Sequence, residues 1–368
     1  MSKAQTSVNL GSLSNIRTGK LDANASSDSG EYPFFTCVKK PLKISSYSFD
    51  CECVLVAGNG DLNVKYYSGK FDAYQRTYII ETKPEKSDLL DLRYVFRFME
   101  IHLNTLREQS IGGIIKYIKL GNLTEAKIPL PALDEQKRIA AILDAADELR
   151  AKRRQTLTEL DTLIQSTFLD LFGDPVTNPK GWEECCIGEV TDCIVPGRDK
   201  PKSFTGSIPW ITTNDLTEGA TTFVSQDKIG LTEEEITKVK AKTIPINSVI
   251  MVCVGDLGVC SIVGKEFVMN QQLHAFISKD RVTPHFLNHC IPYRKSWMKS
   301  RATQTTLPYL NKTNCNSVPI VIPPLELQKQ FANIVQKIEA EKARCQAQLD
   351  ELDTLFASLQ SRAFKGEL

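Results

Sequence analysis

The sequence predicts an α+β protein in which two similar globular modules alternate with two long helices. Three observations lead to this fold class. A helical pattern of about 42 residues beginning at Pro131 recurs at Pro323, 192 residues later, with about 15 of the 42 positions identical. Each copy follows a globular region of comparable length, and the two globular regions share a strand–turn–strand pattern. A repeat of this size fixes the order of the architecture before any local motif is considered.

The repeat divides the chain into a first module (1–130), a first long helix (131–172), a second module (173–322) and a second long helix (323–368). The composition, 42% hydrophobic and 24% charged, is that of a globular protein able to bury a core. We expect a cytoplasmic protein, because no apolar run could cross a membrane and the first residues lack the apolar core of a signal peptide. The 11 cysteines show no metal-ligand spacing, so reduced thiols are expected.

Both repeated segments carry apolar residues at the three–four spacing that is typical of a coiled-coil seam. The seam positions in the first are Leu133, Ile139, Ile142, Ala146, Leu149, Leu157, Leu160, Ile164 and Leu171. Those in the second are Phe331, Ile334, Ile338, Cys345, Leu349, Leu352, Phe356 and Leu359. A proline-rich stretch before each segment (IPLPAL or VIPPLEL) sets the helix start. We expect two rods of about 55–60 Å packed against each other; the alternative is that each helix packs only on the module before it.

The two modules share a framework and differ in their polar loops. Val54–Lys70 and Val249–Lys265 both read as a strand, a Gly-Asp-Leu turn and a second strand, which predicts a β-hairpin. A short amphipathic segment begins each module, at Leu10 and at Ile187. Residues 17–35 have little in common with residues 196–214. A duplication that retains its scaffold and varies its loops indicates two recognition surfaces for different targets.

No catalytic pattern stands out in the sequence. Gly264-Lys265 lacks the hydroxyl residue and the glycine spacing of a P-loop. His285 and His289 have the i, i+4 spacing of a zinc helix, but no glutamate follows His285, so packed or surface histidines are expected. The sequence therefore predicts no catalytic residue, no cofactor and no metal ligand.

The polar loops offer another chemistry, because amides and hydroxyls read base edges while Lys and Arg contact guanine or phosphates. Neither module is strongly basic, so contacts with DNA would come from local clusters. The candidates in the first module are Lys20, Asn59, Asn63, Lys65, Arg76 and Lys116. Those in the second are Arg198, Lys200, Lys202, Thr212, Thr213, Asn214, Gln271, Gln272, Arg301, Gln304, Thr305, Thr306, Asn311 and Lys312. The alternative is that amide-rich loops are only connecting segments.

Several stretches resemble the specificity (S) subunits of type I restriction–modification systems, and the resemblance covers nearly the whole chain. They are PALDEQKRIAAILDAADELRAKRRQTLTELDTLIQSTFLDLFGDP from Pro131, PPLELQKQFANIV from Pro323, NPKGWEE from Asn178 and TGKLDANA from Thr18. The paired L-x-x-Q-K helix starts are the most specific part.

The resemblance implies two target recognition domains, each reading one half of a bipartite, asymmetric site in double-stranded DNA. It implies that the conserved helices form an antiparallel coiled coil that sets the spacer, and region–helix–region–helix order suits a pseudo-twofold circular arrangement. Two methyltransferase (M) subunits, which carry S-adenosylmethionine, and restriction (R) subunits would be the partners. The candidates for M-subunit docking are Gln136, Lys137, Ile142, Gln328, Lys329 and Ile334.

Two other functions remain open at this point. One is a non-enzymatic coiled-coil adaptor whose two modules bind proteins rather than DNA. The other is the specificity subunit of a methylation-only defence system that has no R partner. Salt-dependent retention of duplex DNA separates the adaptor from the two DNA-binding functions.

Overall fold

The computed structural model describes residues 6–197, 199–303 and 306–368. The chain forms two compact units, the first made of Met1–Gln155 with Gln346–Leu368 and the second of Thr156–Cys345. Each long helix therefore contributes one part to each unit. The boundaries between the units fall inside the two long helices and not at the predicted segment boundaries. The division into two recognition domains and two helices stays a prediction.

Both predicted long helices are present. The first long helix spans Leu133–Phe172 and the second spans Leu325–Ala363. Each begins shortly after prolines, which have no amide hydrogen to donate to a preceding turn. Acidic residues in the first turns (Asp134, Glu135 and Glu326) suit the positive end of the helix dipole. No helix in the described part of the chain is long and apolar enough to span a membrane.

The first unit contains a six-stranded sheet and a separate two-stranded ladder. In spatial order the six strands are Ser14–Thr18, Thr77–Thr82, Phe49–Ala57, Val64–Ala73, Tyr32–Phe35 and Leu42–Ile44. The ladder pairs Ser7–Asn9 with Lys127–Pro129. The helices outside the long ones are Leu10–Leu13, Leu92–Gln109 and Leu120–Thr124, with 3-10 turns at Ala23–Ala25 and Pro84–Lys86.

The second unit has a five-stranded sheet, a four-stranded sheet and a two-stranded ladder. The five strands, in spatial order, are Thr191–Ile194, Leu273–Ser278, Val249–Val252, Cys260–Val263 and Thr221–Thr222. The four are Gly230–Leu231, Ile208–Ile211, Phe267–Met269 and Thr243–Ile244, and the ladder pairs Glu183–Cys186 with Pro319–Ile322. The helices are Ile187–Val190, Glu233–Lys238, Pro284–Cys290, Lys295–Arg301 and Lys312–Asn316, with 3-10 turns at Thr213–Asp215 and Ile291–Arg294.

The two units share a framework, as the sequence predicts. In both, a four-residue helix leads into an edge strand, and the four strands that follow it in the sheet have the same spatial and chain order. The predicted hairpin is present twice, with Val56 opposite Val64 and Met251 opposite Cys260. At the spacing of the repeat, the uninterrupted helix Leu92–Gln109 corresponds to three short helices, because Pro292 cannot donate the backbone hydrogen bond of a continuous helix.

The long helices contact both a module and each other within each unit. In the second unit, Phe331 of the second long helix packs edge-on against Phe168 and Phe172 of the first, at ring separations of 5.4 and 5.5 Å. Lys342 is 2.7 Å from Asp161, so the contacts run in opposite chain directions. In the first unit, Arg150 Nε lies 2.5 Å from Asp353 Oδ1. Packing of each helix only on its preceding module is therefore ruled out.

Two predicted seam positions are wrong. Leu149 and Ile334 are 54% and 37% exposed, and their neighbours Arg150 and Val335 face inward instead. Arg150 holds its guanidinium 4.2 Å from the centre of the Phe356 ring, an arrangement that combines a charge pair with a cation–π contact. The buried face differs from a strict three–four stripe because each helix packs against a module as well as against its partner helix.

Candidate nucleic-acid interface

Three loops of the first unit meet at the ends of central strands of the six-stranded sheet. We call these residues, 58–63, 74–76 and 111–118, the first loop cluster. Backbone hydrogen bonds join them: Gly58 N donates to Arg76 O (2.7 Å), and Ile118 N donates to Gly58 O (2.9 Å). Gly60 N donates to Lys116 O (3.0 Å). The positive φ of Gly60, +67°, is a conformation that glycine adopts without steric cost. The framework thus fixes where the side chains of this cluster emerge.

Four of the six candidates of the first module, Asn59, Asn63, Arg76 and Lys116, lie in this cluster, and a fifth, Lys65, contacts it through Asn63. Arg76 and Lys116 are exposed, and the Arg76 guanidinium lies 5.9 Å from the Tyr117 ring centre. Lys20 is exposed beside the cluster, because the next residue, Leu21, bridges to Tyr74. These three exposed cations can reach phosphates or guanine edges.

Asn63 is corrected from a base-reading candidate to a structural residue. It is 8% exposed, and its amide nitrogen donates to Cys37 O and to Asp61 O, both at 2.8 Å. Its side-chain oxygen accepts a hydrogen bond from Lys65, whose pKa is lowered by burial. Asn59 is half-buried and accepts from the Cys37 thiol at 2.7 Å. The amides predicted to read bases in this module therefore hold the loop in shape.

The second unit has a loop cluster in the corresponding place, formed by residues 253–258, 270–272, 303 and 306–311, which we call the second loop cluster. Cys253 N donates to Gln272 O (2.8 Å) and Leu310 N donates to Cys253 O (2.9 Å). Tyr309 bridges to Val254, as Tyr117 bridges to Asn59 in the first unit, and the two tyrosines are equivalent positions of the repeat. The same hydrogen-bond framework therefore carries different side chains.

The candidates of the second module fall into two groups. Exposed side chains belong to Lys200, Lys202, Asn214, Arg301, Thr306, Asn311 and Lys312. In the other group, the side chains make hydrogen bonds within the protein. Thr212 donates its hydroxyl to Asp215 (2.9 Å), and the Gln271 amide donates to Gly197 O and Asp199 O (both 3.3 Å).

Further candidates of this module are half-buried or take part in local caps. Thr213 and Gln272 are half-buried, and Gln272 accepts a hydrogen bond from Asn270 at 3.1 Å. The Asn311 oxygen caps the helix Lys312–Asn316 through Asn314 N (2.8 Å), which leaves its amide nitrogen for other contacts. The remaining candidates, Arg198, Gln304 and Thr305, lie outside the described residues.

The prediction missed three exposed aliphatic side chains at the tips of the loop clusters. Ile114 and Ile115 of the first cluster are 104% and 62% exposed, and Leu307 of the second is 60% exposed. Ile115 and Leu307 occupy the same place in the two copies of the repeat. Aligning the loops through Tyr117 and Tyr309 would have found them, whereas a search for polar residue types could not.

Two candidates for partner docking are corrected, because Gln136 and Gln328 are completely buried. Gln136 donates to Leu89 O (2.8 Å) and Pro131 O (2.9 Å), and accepts from Asp91 N (3.0 Å). Such a side chain cannot contact another protein directly. The hydrogen bonds of Gln136 instead hold the start of the first long helix against the first module.

Gln328 repeats this lock in the second unit with Arg281 O (3.0 Å), Pro323 O (2.9 Å) and Thr283 N (2.9 Å). The other docking candidates have accessible surface. Lys137, Lys329 and Ile334 are exposed and Ile142 is half-buried. The L-x-x-Q-K pattern therefore combines one internal glutamine with one exposed lysine.

Comparison with known proteins identifies the family. The family model of the type I restriction modification DNA specificity domain matches residues 3–160 and again residues 179–352. The chain is 26% identical over 408 aligned positions to the specificity subunit of the type I restriction enzyme EcoDI of Escherichia coli, covering 98% of this chain and 88% of the relative. It is 21% identical to the EcoBI specificity subunit of the same species, covering 86% and 74%.

Solved structures agree on the fold. The S subunit of a type I system from M. genitalium superposes with a TM-score of 0.68 at 15% identity, covering 98% of this chain and 96% of the other. A chain from work on complex assembly and conformational transition of the type I R-M system gives 0.57 at 18% identity, covering 99% and 98%. With its two matches to the DNA specificity domain, this chain belongs to the specificity-subunit family of type I restriction–modification systems.

Proposed function

We propose that this chain is the DNA-recognition subunit of a type I restriction–modification complex, with residues 1–130 and 173–322 each reading one half of a bipartite, asymmetric site. The observation that carries the proposal is the duplicated loop cluster. Two clusters with the same backbone framework present different side chains, and each lies within one match to the DNA specificity domain. Different side chains on equivalent frames would read different base sequences.

Recognition would combine charge with direct contacts to base edges. The exposed cations are Arg76 and Lys116 in the first cluster, and Arg301 and Lys312 in the second unit. Such groups neutralise phosphates and pair with guanine, and the free amide nitrogen of Asn311 can donate in the major groove. The low net charge of +1 means that these local cations, and not a general basic surface, would set the salt dependence of binding.

The long helices would form an antiparallel coiled coil that spaces the two recognition domains and docks two M subunits. The opposed contacts in the second unit and the Arg150–Asp353 pair in the first support this arrangement, as do the equivalent positions of Lys137 with Lys329 and of Ile142 with Ile334. Two repeats related by a pseudo-twofold axis would give each M subunit the same docking surface. The M subunits would bring S-adenosylmethionine and methylate adenine, and R subunits would add cleavage. This chain itself would bind no cofactor and catalyse no step.

The test is the methylome of the host before and after deletion of this chain. Loss of one bipartite motif methylated at adenine is expected, and expression of the chain from a plasmid should restore it. If every methylated motif survives the deletion, the proposal is wrong. Purified protein with M subunits should also retain duplex DNA with an affinity that falls steeply with salt, whereas a protein-binding adaptor would not.

A further inference from the structure

Three potential metal ligands meet in the interior of the second unit, beneath the second loop cluster. Cys253 follows the strand Val249–Val252, His274 lies on the neighbouring strand Leu273–Ser278, and Cys315 lies on the helix Lys312–Asn316. All three are buried, and their ligand atoms lie within 4.8 Å of one another. They are far apart in sequence, which is why no ligand spacing appears in the chain.

The geometry suits a tetrahedral ion. The sulfur atoms of Cys253 and Cys315 are 3.5 Å apart. Two thiolates on one zinc ion, with bonds of about 2.3 Å and a tetrahedral angle, stand about 3.8 Å apart. A disulfide would require the sulfurs to approach to about 2.05 Å. The observed separation is therefore much nearer to that of two ligands sharing an ion.

The histidine supplies an independent observation. His274 is 5% exposed, and its Nδ1 atom is buried without a hydrogen-bond partner. A buried nitrogen without a hydrogen-bond partner destabilises the fold unless a ligand occupies its lone pair. The burial of the cluster and this vacant nitrogen together point to a ligand that the polypeptide itself does not provide.

The first unit shows what this place holds when no ligands are present. The corresponding positions, from the strand register and the spacing of the repeat, are Gly58 for Cys253, Tyr78 for His274 and Leu123 for Cys315. There the Tyr78 ring fills the space over Gly58 and its hydroxyl donates to Ile118 O at 3.2 Å. Three coordinating residues therefore replace a satisfied, non-coordinating set on the same framework.

A bound cation would favour loss of the thiol protons of Cys253 and Cys315, because a coordinating thiol is deprotonated by the ion.

We propose that Cys253, His274 and Cys315 form a buried binding site for a thiophilic divalent cation, with Zn²⁺ as the fitting ion. The three side chains would fill three of the four positions of a tetrahedral ion, and the site revises the sequence expectation that the chain has no metal ligand. The ion would fasten the helix Lys312–Asn316 to the sheet and so fix the loop that ends at Asn311. The first unit has no equivalent at the corresponding positions, so metal removal would loosen one loop cluster only.

The test uses the full-length, reduced protein and Co²⁺ as a spectroscopic probe for Zn²⁺. Wild type should bind about one Co²⁺ per chain with thiolate-to-metal charge-transfer absorption, and Zn²⁺ should displace it. The double variant Cys253→Gly, His274→Tyr copies the first unit and should fold while losing the absorption. The variant Cys315→Ser should lose it as well, whereas Cys290→Ala, a buried thiol outside the cluster, should retain it.

Two results would overturn the proposal. One is a reduced wild-type protein that takes up no Co²⁺ with thiolate absorption, which would leave the cluster as a hydrogen-bonded thiol pair. The other is equal uptake by wild type and by the double variant, which would place binding at other cysteines. Neither readout depends on DNA recognition, so the site and the proposed function can fail separately.

Discussion

Replacing Arg97 by Ala should destabilise the first unit far more than replacing its neighbour Arg93. The Arg97 side chain is 5% exposed and contacts three carboxylates, at 2.7 Å from Asp144, 2.9 Å from Glu100 and 3.1 Å from Asp147. It joins the helix Leu92–Gln109 to the first long helix. Removing one partner of a buried ion pair costs about 3–5 kcal/mol, because the remaining charge is left without compensation.

We expect a loss of about 3 kcal/mol, at the lower end of that range, because the three carboxylates keep 28–38% of their side-chain exposure. Arg93 provides the matched control. It lies one turn away on the same helix and contacts the same Asp144 at 3.3 Å, but its side chain is 59% exposed. An exposed pair contributes only about 0–1 kcal/mol. Burial already raises the pKa of Glu100, so the Arg97→Ala defect should shrink as pH falls and Glu100 becomes protonated.

The three tryptophans, Trp182, Trp210 and Trp297, all lie in the second unit, so tryptophan fluorescence would not report on the first unit. Hydrogen exchange measured peptide by peptide is therefore the appropriate assay. The amides of the helix Leu92–Gln109 should exchange about a hundredfold faster in the Arg97 variant, the equivalent of about 3 kcal/mol. Equal exchange in the Arg97→Ala and Arg93→Ala variants would refute the argument from burial.

Three other predictions concern the helix locks, the buried histidine and the loop tips. Gln136→Leu and Gln328→Leu should each cost about 2–3 kcal/mol in unfolding free energy, because three backbone groups lose their partner; thermal melts no different from those of surface variants would contradict this. Burial lowers the pKa of His289 to about 4. The neutral His289 side chain therefore contributes up to about 3 kcal/mol to the free energy of unfolding above pH 6.5, and this contribution is lost as pH falls towards 4. The stability difference between wild type and His289→Gln should change across that interval, and a constant difference would count against it. Ile115→Ser and Leu307→Ser should weaken DNA retention about tenfold with no change in melting temperature, as loss of an apolar contact to a base would; unchanged affinity for both would place the loop tips away from DNA.

The framework of each module could be predicted because it depends on patterns that survive duplication. Val54 and Val249 lie at equivalent positions of matching strands, and the Gly-Asp-Leu turns read directly as hairpins. The long helices follow from proline-marked starts and apolar periodicity. The details of helix packing do not follow from the sequence. Whether Leu149 or Arg150 faces inward depends on Asp353 and Phe356, which lie in the other long helix and are distant in sequence.

Side-chain roles at the candidate interface were less predictable for a physical reason. Residue type alone cannot separate an amide that reads DNA from one that satisfies buried backbone groups, and Asn63 and Gln136 belong to the second kind. The metal-ligand cluster was missed because strand pairing, not sequence spacing, brings Cys253 next to His274.

We propose that the two long helices set the distance between the two recognition modules. Inserting seven residues after Gln155 and seven after Cys345, where each helix passes from one unit to the other, keeps the coiled-coil phase and adds about 10.5 Å. That length corresponds to about three base pairs of DNA.

The measurement is the methylated motif in a host that carries only this variant. We expect the same two half-sequences with a spacer about three base pairs longer, and loss of methylation when only one helix is extended. An active complex that methylates the original spacer would contradict it.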